Sequence, residues 1–275
     1  MNYLSQKGIA LFQVLLITTV ISILAIQFTQ TAKNQISIAN TLANRINASL
    51  IVKTAESELL FSLLTQNKIK NIESDDAIAA QWNFYGMAFK VGENVEYAIQ
   101  DQASLIDLFY IENIDKLTAA FKLIGVPEPR TFATNLINKK SFITNSTNLP
   151  VQTYQELNYI DGLSPLNWQD IKEFVSIRPQ AYINPKLAPK ELLPLHLPSQ
   201  IISTVLERRE KGNLSNLAFR QLSGLSIDDT MVFSASNSLR ISIKVIVDDV
   251  EYNQKMEYII QPYKKYPLIE YEITN

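Results

Sequence analysis

Lys7-Gly8 precedes a run from Ile9 to Phe28 that reads IALFQVLLITTVISILAIQF. The run contains no charged residue, no glycine and no proline. At 1.5 Å of rise per residue, about 20 such residues span roughly 30 Å, the thickness of a bilayer's hydrocarbon core. The polar members, Gln13, Thr18, Thr19, Ser22 and Gln27, carry no charge, and Thr or Ser in a helix can donate back to its own backbone. Apolar residues occupy every face, which favours a membrane span over a buried core helix. A cleaved secretory signal is the rival reading. Its apolar region would run roughly 7–15 residues before a small-x-small site, and this run is longer.

The helical pattern also continues past the run. Ala39, Leu42, Ala43, Ile46 and Leu50 recur at spacings of three and four, with Asn40, Asn44 and Arg45 elsewhere on the helix. No glycine or proline lies between Gly8 and Gly86. The expectation is one helix from about Ile9 to about Leu64, its first third in lipid and the remainder an amphipathic stalk against a head. Lys7 is the only charge before the span, which places residues 1–8 in the cytoplasm and the rest outside.

Composition narrows the chemistry. The chain has 275 residues and a net charge of −2, with no basic block to serve as a nucleic-acid footprint. It has no cysteine, which excludes disulfides and thiolate catalysis, and a single histidine, His196, too few for a usual zinc centre. Gly162-Leu163-Ser164 and Gly224-Leu225-Ser226 echo a nucleophile elbow but lack its second glycine, and His196 reads as an exposed loop residue. Neither a phosphate loop nor a dinucleotide fingerprint is present. Asp75-Asp76 and Asp248-Asp249 read as solvated turns. Arg208-Arg209-Glu210-Lys211 reads as the exposed end of a helix.

The head predicts α+β structure. Trp82, Phe84, Tyr85, Met87 and Phe89 are strand formers, Val95, Tyr97 and Ile99 alternate, and Val91-Gly92-Glu93-Asn94 supplies a hairpin turn. Ile114 to Ile124 and Thr131 to Ile137 read as helices separated by Pro127-Glu128-Pro129. Asn145 to Val151 is a polar loop. Pro189 suits the first turn of a helix, where its missing N–H costs nothing. Leu239, Ile241, Ile243, Val245 and Val247 alternate with Arg240, Ser242 and Lys244. Asp248-Asp249 turns the chain into a return strand through Tyr252, Met256, Tyr258 and Ile260, and Leu268 to Ile273 adds a third. This antiparallel sheet is expected to pack on the stalk helix.

Lys7-Gly8-Ile9-Ala10-Leu11 followed by an apolar helix resembles the class III signal of type IV pilins and pseudopilins. Tyr154-Gln155-Glu156-Leu157 with Asp161-Gly162, and Asn184 with Ala188-Pro189, resemble segments of the K-class minor pseudopilins of the type II secretion system. The resemblance implies cleavage between Gly8 and Ile9 by a prepilin peptidase and methylation of the new Ile9 amine. It also implies a pilin-like fold, a long helix on an antiparallel sheet with an inserted, mainly helical subdomain. Gln13 stands where most of the family has a glutamate, whose charge a neighbouring subunit's amine is thought to neutralise. Loss of that charge is similar to the K class and fits a subunit with nothing above it. The family's Asp-Trp-x-Asp-x-Asp segment is absent at Asn138-Lys139-Lys140-Ser141-Phe142.

The implied organisation is a leader at 1–8, a transmembrane helix at 9–28 and a stalk at 29–66. A β region takes 80–101 and 236–275, and the inserted subdomain 102–235 contains a helix-hairpin-helix-like segment at 154–225. The implied role is a non-enzymatic tip subunit of the pseudopilus, acting in protein export from the inner membrane with its head in the periplasm. The implied partners are other minor pseudopilins and the peptidase. Two alternatives stand beside it: a large minor pilin of a type IV pilus, and a membrane-anchored helix-hairpin-helix DNA-binding protein of the competence type. Against DNA, the first hairpin, Leu195 to Ser199, has no glycine, and Asp228-Asp229 beside the second would repel phosphate. No cofactor is expected. Some pseudopilins bind Ca²⁺, but Asp101, Asp107, Glu112 and Asp115 show no recognisable ligand order and read as solvated surface.

Overall fold

The structure is a computed structural model and describes residues 4–69, 73–108, 113–146, 154–155, 171–248 and 250–272. By internal contacts the chain divides into two units, one of residues 1–51 with 246–252 and one of 52–245 with 253–275.

Helix α1 spans Leu4–Thr65 without interruption, as a stretch free of glycine and proline past Gly8 allows. In the first unit every residue from Ile9 to Ala43 is exposed. Burial begins at Ala48, which is 0% exposed, and Asn44 Nδ2 donates to Asp248 Oδ2 at 3.0 Å. This overturns the expected contact face. Leu42, Ile46 and Leu50 are 58%, 53% and 62% exposed. With about 3.6 residues per turn they project from the side of the helix roughly opposite Ala48. The apolar spacing marks a stripe that the chain leaves exposed, while the buried position is the small Ala48 on the other side of the helix.

In the second unit the last turns of α1 bury Val52, Ala55, Glu56, Leu59 and Leu63 at helical spacing. The unit also holds a five-stranded sheet in the order β1-β2-β5-β6-β7, except for residues 246–252, which belong to the first unit. Its strands are β1 Phe89–Val91, β2 Val95–Asp101, β5 Ser238–Val247, β6 Val250–Ile260 and β7 Leu268–Glu272. β2 runs antiparallel to β5 from Val95↔Val245 to Asp101↔Leu239, and β7 antiparallel to β6 with Ile260↔Leu268. Tyr97, Ile99, Ile241, Ile243, Val245, Tyr258 and Ile260 are buried from these strands. The Tyr97 hydroxyl donates to Ala55 O at 3.4 Å, which sets the sheet against α1. Each fully buried Leu, Ile or Val side chain contributes about 1.5–3 kcal/mol.

The first hairpin is shorter than its strand formers predict. β1 begins only at Phe89, and Tyr85 makes an isolated bridge to Gln100. The Asn83 side chain accepts from Met87 N at 3.1 Å and donates to Met87 O at 2.6 Å, so a local turn takes the groups a strand would pair. Gly86 has φ of 78° at this turn, and a Cβ there would lie 2.6 Å from Gln100 Oε1.

Helices α2 Ile114–Leu123 and α3 Pro129–Ser146 form the first helical layer. Asn113 caps α2 by accepting from Asp115 N and Lys116 N, and Pro129 opens α3 where no N–H is needed. Phe121 and Phe132 meet edge to face at 4.7 Å. α3 runs past its expected end, so Asn145 and Ser146 are helical; the rest of the expected loop, from Thr147, lies outside the described residues. Two short strands, β3 Ile106–Asp107 and β4 Val175–Ser176, pair in parallel.

A second helical cluster contains α4 Ser199–Glu210 and α5 Asn216–Ser223, with Phe219 against Phe233 at 4.9 Å. Ser215 caps α5 through Ala218 N, and Gly224, at φ 70°, closes it. No α-helix starts at Pro189. Short 3₁₀ turns at Pro185–Leu187 and Leu193–Leu195 stand there instead, because Pro185, Pro189 and Pro194 recur too closely for an α-helical hydrogen-bond ladder.

Candidate functional site in the apolar helix

Gly8, Ile9 and Gln13 all lie in the opening turns of α1, and Ile9 and Gln13 are exposed. The segment from Ile9 to Phe28 presents apolar side chains on every side, and it is the described helix long and apolar enough to cross a membrane. Its hydroxyls are satisfied within the helix. Thr18 and Thr19 donate to Leu15 O at 2.9 and 2.7 Å, and Ser22 donates to Thr18 O at 2.8 Å. Thr29 and Thr31 do the same toward Ala25 O and Gln27 O. A hydroxyl bonded to its own backbone adds little cost in an apolar medium, where an unpaired one costs several kcal/mol. The first charge after the span is Lys33, so Lys7 and Lys33 bracket an uncharged cylinder.

Within the second unit, α1 is tied to the sheet through Glu56. This carboxylate accepts from the Tyr258 hydroxyl, from Gln254 Nε2 at 2.9 Å and from Lys53 Nζ at 2.7 Å. Burial pushes its pKa up, but the bonds from Lys53, Tyr258 and Gln254 more than offset this, and the net shift is downward.

Several charged side chains expected at the surface are buried. Asp101 is 0% exposed and accepts from Ala103 N, Asn184 Nδ2, Ser236 N and Ser236 Oγ. Its lone pairs hold β2 to the loops around it and leave little for a calcium ion, although burial raises its pKa. Asp107 accepts from Gln180 N at 3.0 Å, and Glu112 lies outside the described residues. Among the described residues no three His, Asp or Glu side chains are grouped to hold a metal. Asp76 is half-buried and caps a turn at Ile78 N and Ala79 N, so it is not simply solvated.

Arg209 is buried as well, donating to Ala188 O and Lys186 O, so the Arg208–Lys211 run is not wholly an exposed helix end. The i→i+3/i+4 spacing that puts Val205 in the core carries Arg209 in with it. His196 is half-buried, not exposed, and burial pushes its pKa down to about 4. Arg240, on the face of β5 expected to be polar, is 5% exposed. It bonds Glu257 Oε1 at 2.9 Å, the Tyr154 hydroxyl and Val175 O. The far face of the sheet is thus covered too, which strict alternation along β5 could not reveal. Gly224 closes α5, while Gly162, Leu163 and Ser164 lie outside the described residues.

No family model and no curated relative matches the chain. Among solved structures, it is similar to a chain in the crystal structure of the GspK-GspI-GspJ complex from the type 2 secretion system of enterotoxigenic Escherichia coli. The TM-score is 0.51 at 14% sequence identity, covering 86% of this chain and 99% of that one. The likeness shows the fold, an α+β arrangement shared with a chain of that complex, and here the fold carries a long N-terminal apolar helix.

Proposed function

We propose that this chain is a minor pseudopilin of a type II secretion system. It is anchored in the inner membrane by Ile9 to Phe28 and caps the tip of the pseudopilus with its head in the periplasm. The observation that carries the reading is the uncharged, exposed Ile9 to Phe28 helix, with its hydroxyls satisfied internally and Gly8 directly before it, in a chain whose fold is similar to that of a chain in the GspK-GspI-GspJ complex. Such a helix stores the subunit in lipid and offers a packing surface to other helices. Prepilin peptidase would cut between Gly8 and Ile9, and the freed Ile9 amine would be methylated.

Gln13 supports a terminal position. A carboxylate at this depth would be costly without a partner cation, whereas an amide carries no charge to neutralise. The role is assembly, with other minor pseudopilins as partners and no catalytic step assigned to the head. N-terminal sequencing of the protein recovered from membranes of its native host tests the reading. A mature chain starting at Ile9 and co-purifying with other pseudopilins supports it, and a start beyond Thr31 removes the anchor and the proposal with it.

A further inference from the structure

A cavity of about 560 Å³ opens in the second unit between the end of α1, the Asn83 turn and the start of α5. Three cations border it, Lys68, Lys186 and Arg209, and no carboxylate does among the described lining residues. Cations concentrated in a desolvated wall repel one another and favour an anion between them. Burial, and for Lys186 the neighbouring Arg209, pushes Lys68 and Lys186 down to about 8, while buried Asp101 draws Lys68 partly back up.

These cations are only partly used by the protein. Lys68 Nζ donates to Ser236 O and Asn237 Oδ1, both at 2.8 Å, and Lys186 Nζ donates to Asn216 Oδ1 at 2.7 Å. An ammonium has three N–H groups, so one remains on Lys68 and two on Lys186. Arg209 donates once from each terminal nitrogen to a backbone carbonyl, which leaves one N–H on each, and its Nε is buried without a partner. A carboxylate has about four lone-pair sites, and the six N–H groups left over on these three side chains are enough donors to fill them. The rest of the wall is largely apolar, with Ile69 and Leu217 well exposed and the ring of Tyr85 stacked 5.1 Å from the Arg209 guanidinium.

We propose that this cavity binds a carboxylate carried on an apolar or aromatic body. Lys68, Lys186 and Arg209 receive the carboxylate, and Ile69, Tyr85 and Leu217 receive the body. The ligand is a free aryl-alkyl acid or the terminal carboxylate of a peptide, and both present the same chemistry. The site belongs to the head alone and does not depend on the tip assignment.

Trp82 borders the cavity and provides a reporter, because the only other tryptophan, Trp168, can be replaced. Full-length Trp168→Phe protein in neutral detergent is titrated with 3-phenylpropanoate and with acetyl-Gly-Gly-Phe bearing a free carboxylate, each beside its neutral amide. Saturable change in Trp82 fluorescence with at least one acid, and at least about tenfold weaker binding of its amide, is expected. The tighter acid identifies the source. Lys186→Met should weaken the acid about tenfold and leave the amide unchanged. The proposal is overturned if neither acid saturates below about 50 mM, if the amides bind equally well, or if folded Lys186→Met binds the acids as the parent does. Should Lys186→Met fail to fold, the acid and amide titrations of the parent decide alone.

Discussion

The Tyr258 hydroxyl donates to Glu56 Oε1, joining strand β6 to the helix that carries the apolar N-terminus. Burial raises the Tyr258 pKa well above the phenol range, as does the Glu56 carboxylate, so the phenol stays a donor at any physiological pH. Tyr258→Phe keeps the ring and deletes the donor. It should cost about 1–3 kcal/mol, because Glu56 keeps Lys53 and Gln254 but loses its buried partner. The folded-state pKa of Glu56 is depressed below 4.5, so its contribution is present above that value and is lost as pH falls through the folded pKa. Urea unfolding followed by tryptophan fluorescence should show a smaller loss of stability on acidification from pH 5 to pH 3 in Glu56→Gln than in the parent. Equal acid sensitivity in both would remove Glu56 from the account.

Arg240 and Glu257 are both nearly fully buried, and Tyr154, Val175 O and Arg178, 3.5 Å from Glu257 Oε2, join their cluster. Taking either charge away breaks the buried pair, leaving Arg240 without its carboxylate or Glu257 with only Arg178, which costs about 3–5 kcal/mol. Arg240→Met or Glu257→Leu alone should therefore destabilise strongly. The double variant should lose clearly less than the sum, because neither charge of the pair stays buried alone and only the partly exposed Arg178 loses its carboxylate. Additive losses in urea unfolding would show that the two side chains act separately.

How far the sequence could be read follows from the kind of signal each element carried. α1 was legible because no glycine or proline interrupts its apolar helical pattern, and β5 and β6 because their apolar residues recur at strand spacing. Arg240, Asp101 and Arg209 were misread for one reason. Each is a charged residue whose partners, Glu257, Ser236 and Ala188 O among them, are distant in sequence, and local spacing does not register a partner of that kind. The stalk face was misread because the longest apolar stripe looked like the buried one, while a single small residue, Ala48, marks where burial starts. The cation-lined cavity had no sequence signature, since Lys68, Lys186 and Arg209 come from three separate segments.

Gly8→Ala tests the processing step. A methyl group in a peptidase pocket that accepts the glycine adds bulk where the resemblance implies little room. The variant should accumulate as an uncleaved form, heavier by the residues up to position 8, in the membranes of a host carrying the peptidase. Intact mass measurement separates the two forms. Equal accumulation of the mature mass in both would remove Gly8 from the cleavage signal.

Leu42 and Ile46 test what the exposed stripe is for. Both project from α1 on the side away from Ala48, more than half exposed, so neither contributes a buried contact within the chain. Substitutions at such positions usually change stability by no more than about 0.5 kcal/mol. Leu42→Asp with Ile46→Asp should therefore leave the unfolding midpoint of the head unchanged. If the stripe is where neighbouring stalk helices pack, two carboxylates placed in that contact would be desolvated without partners, and association should fall by at least about a hundredfold. Co-purification of the doubly substituted chain with tagged minor pseudopilins reads the loss directly. Undiminished recovery of the complex would mean that the partners contact another face of the helix, and the stripe would then need a different occupant.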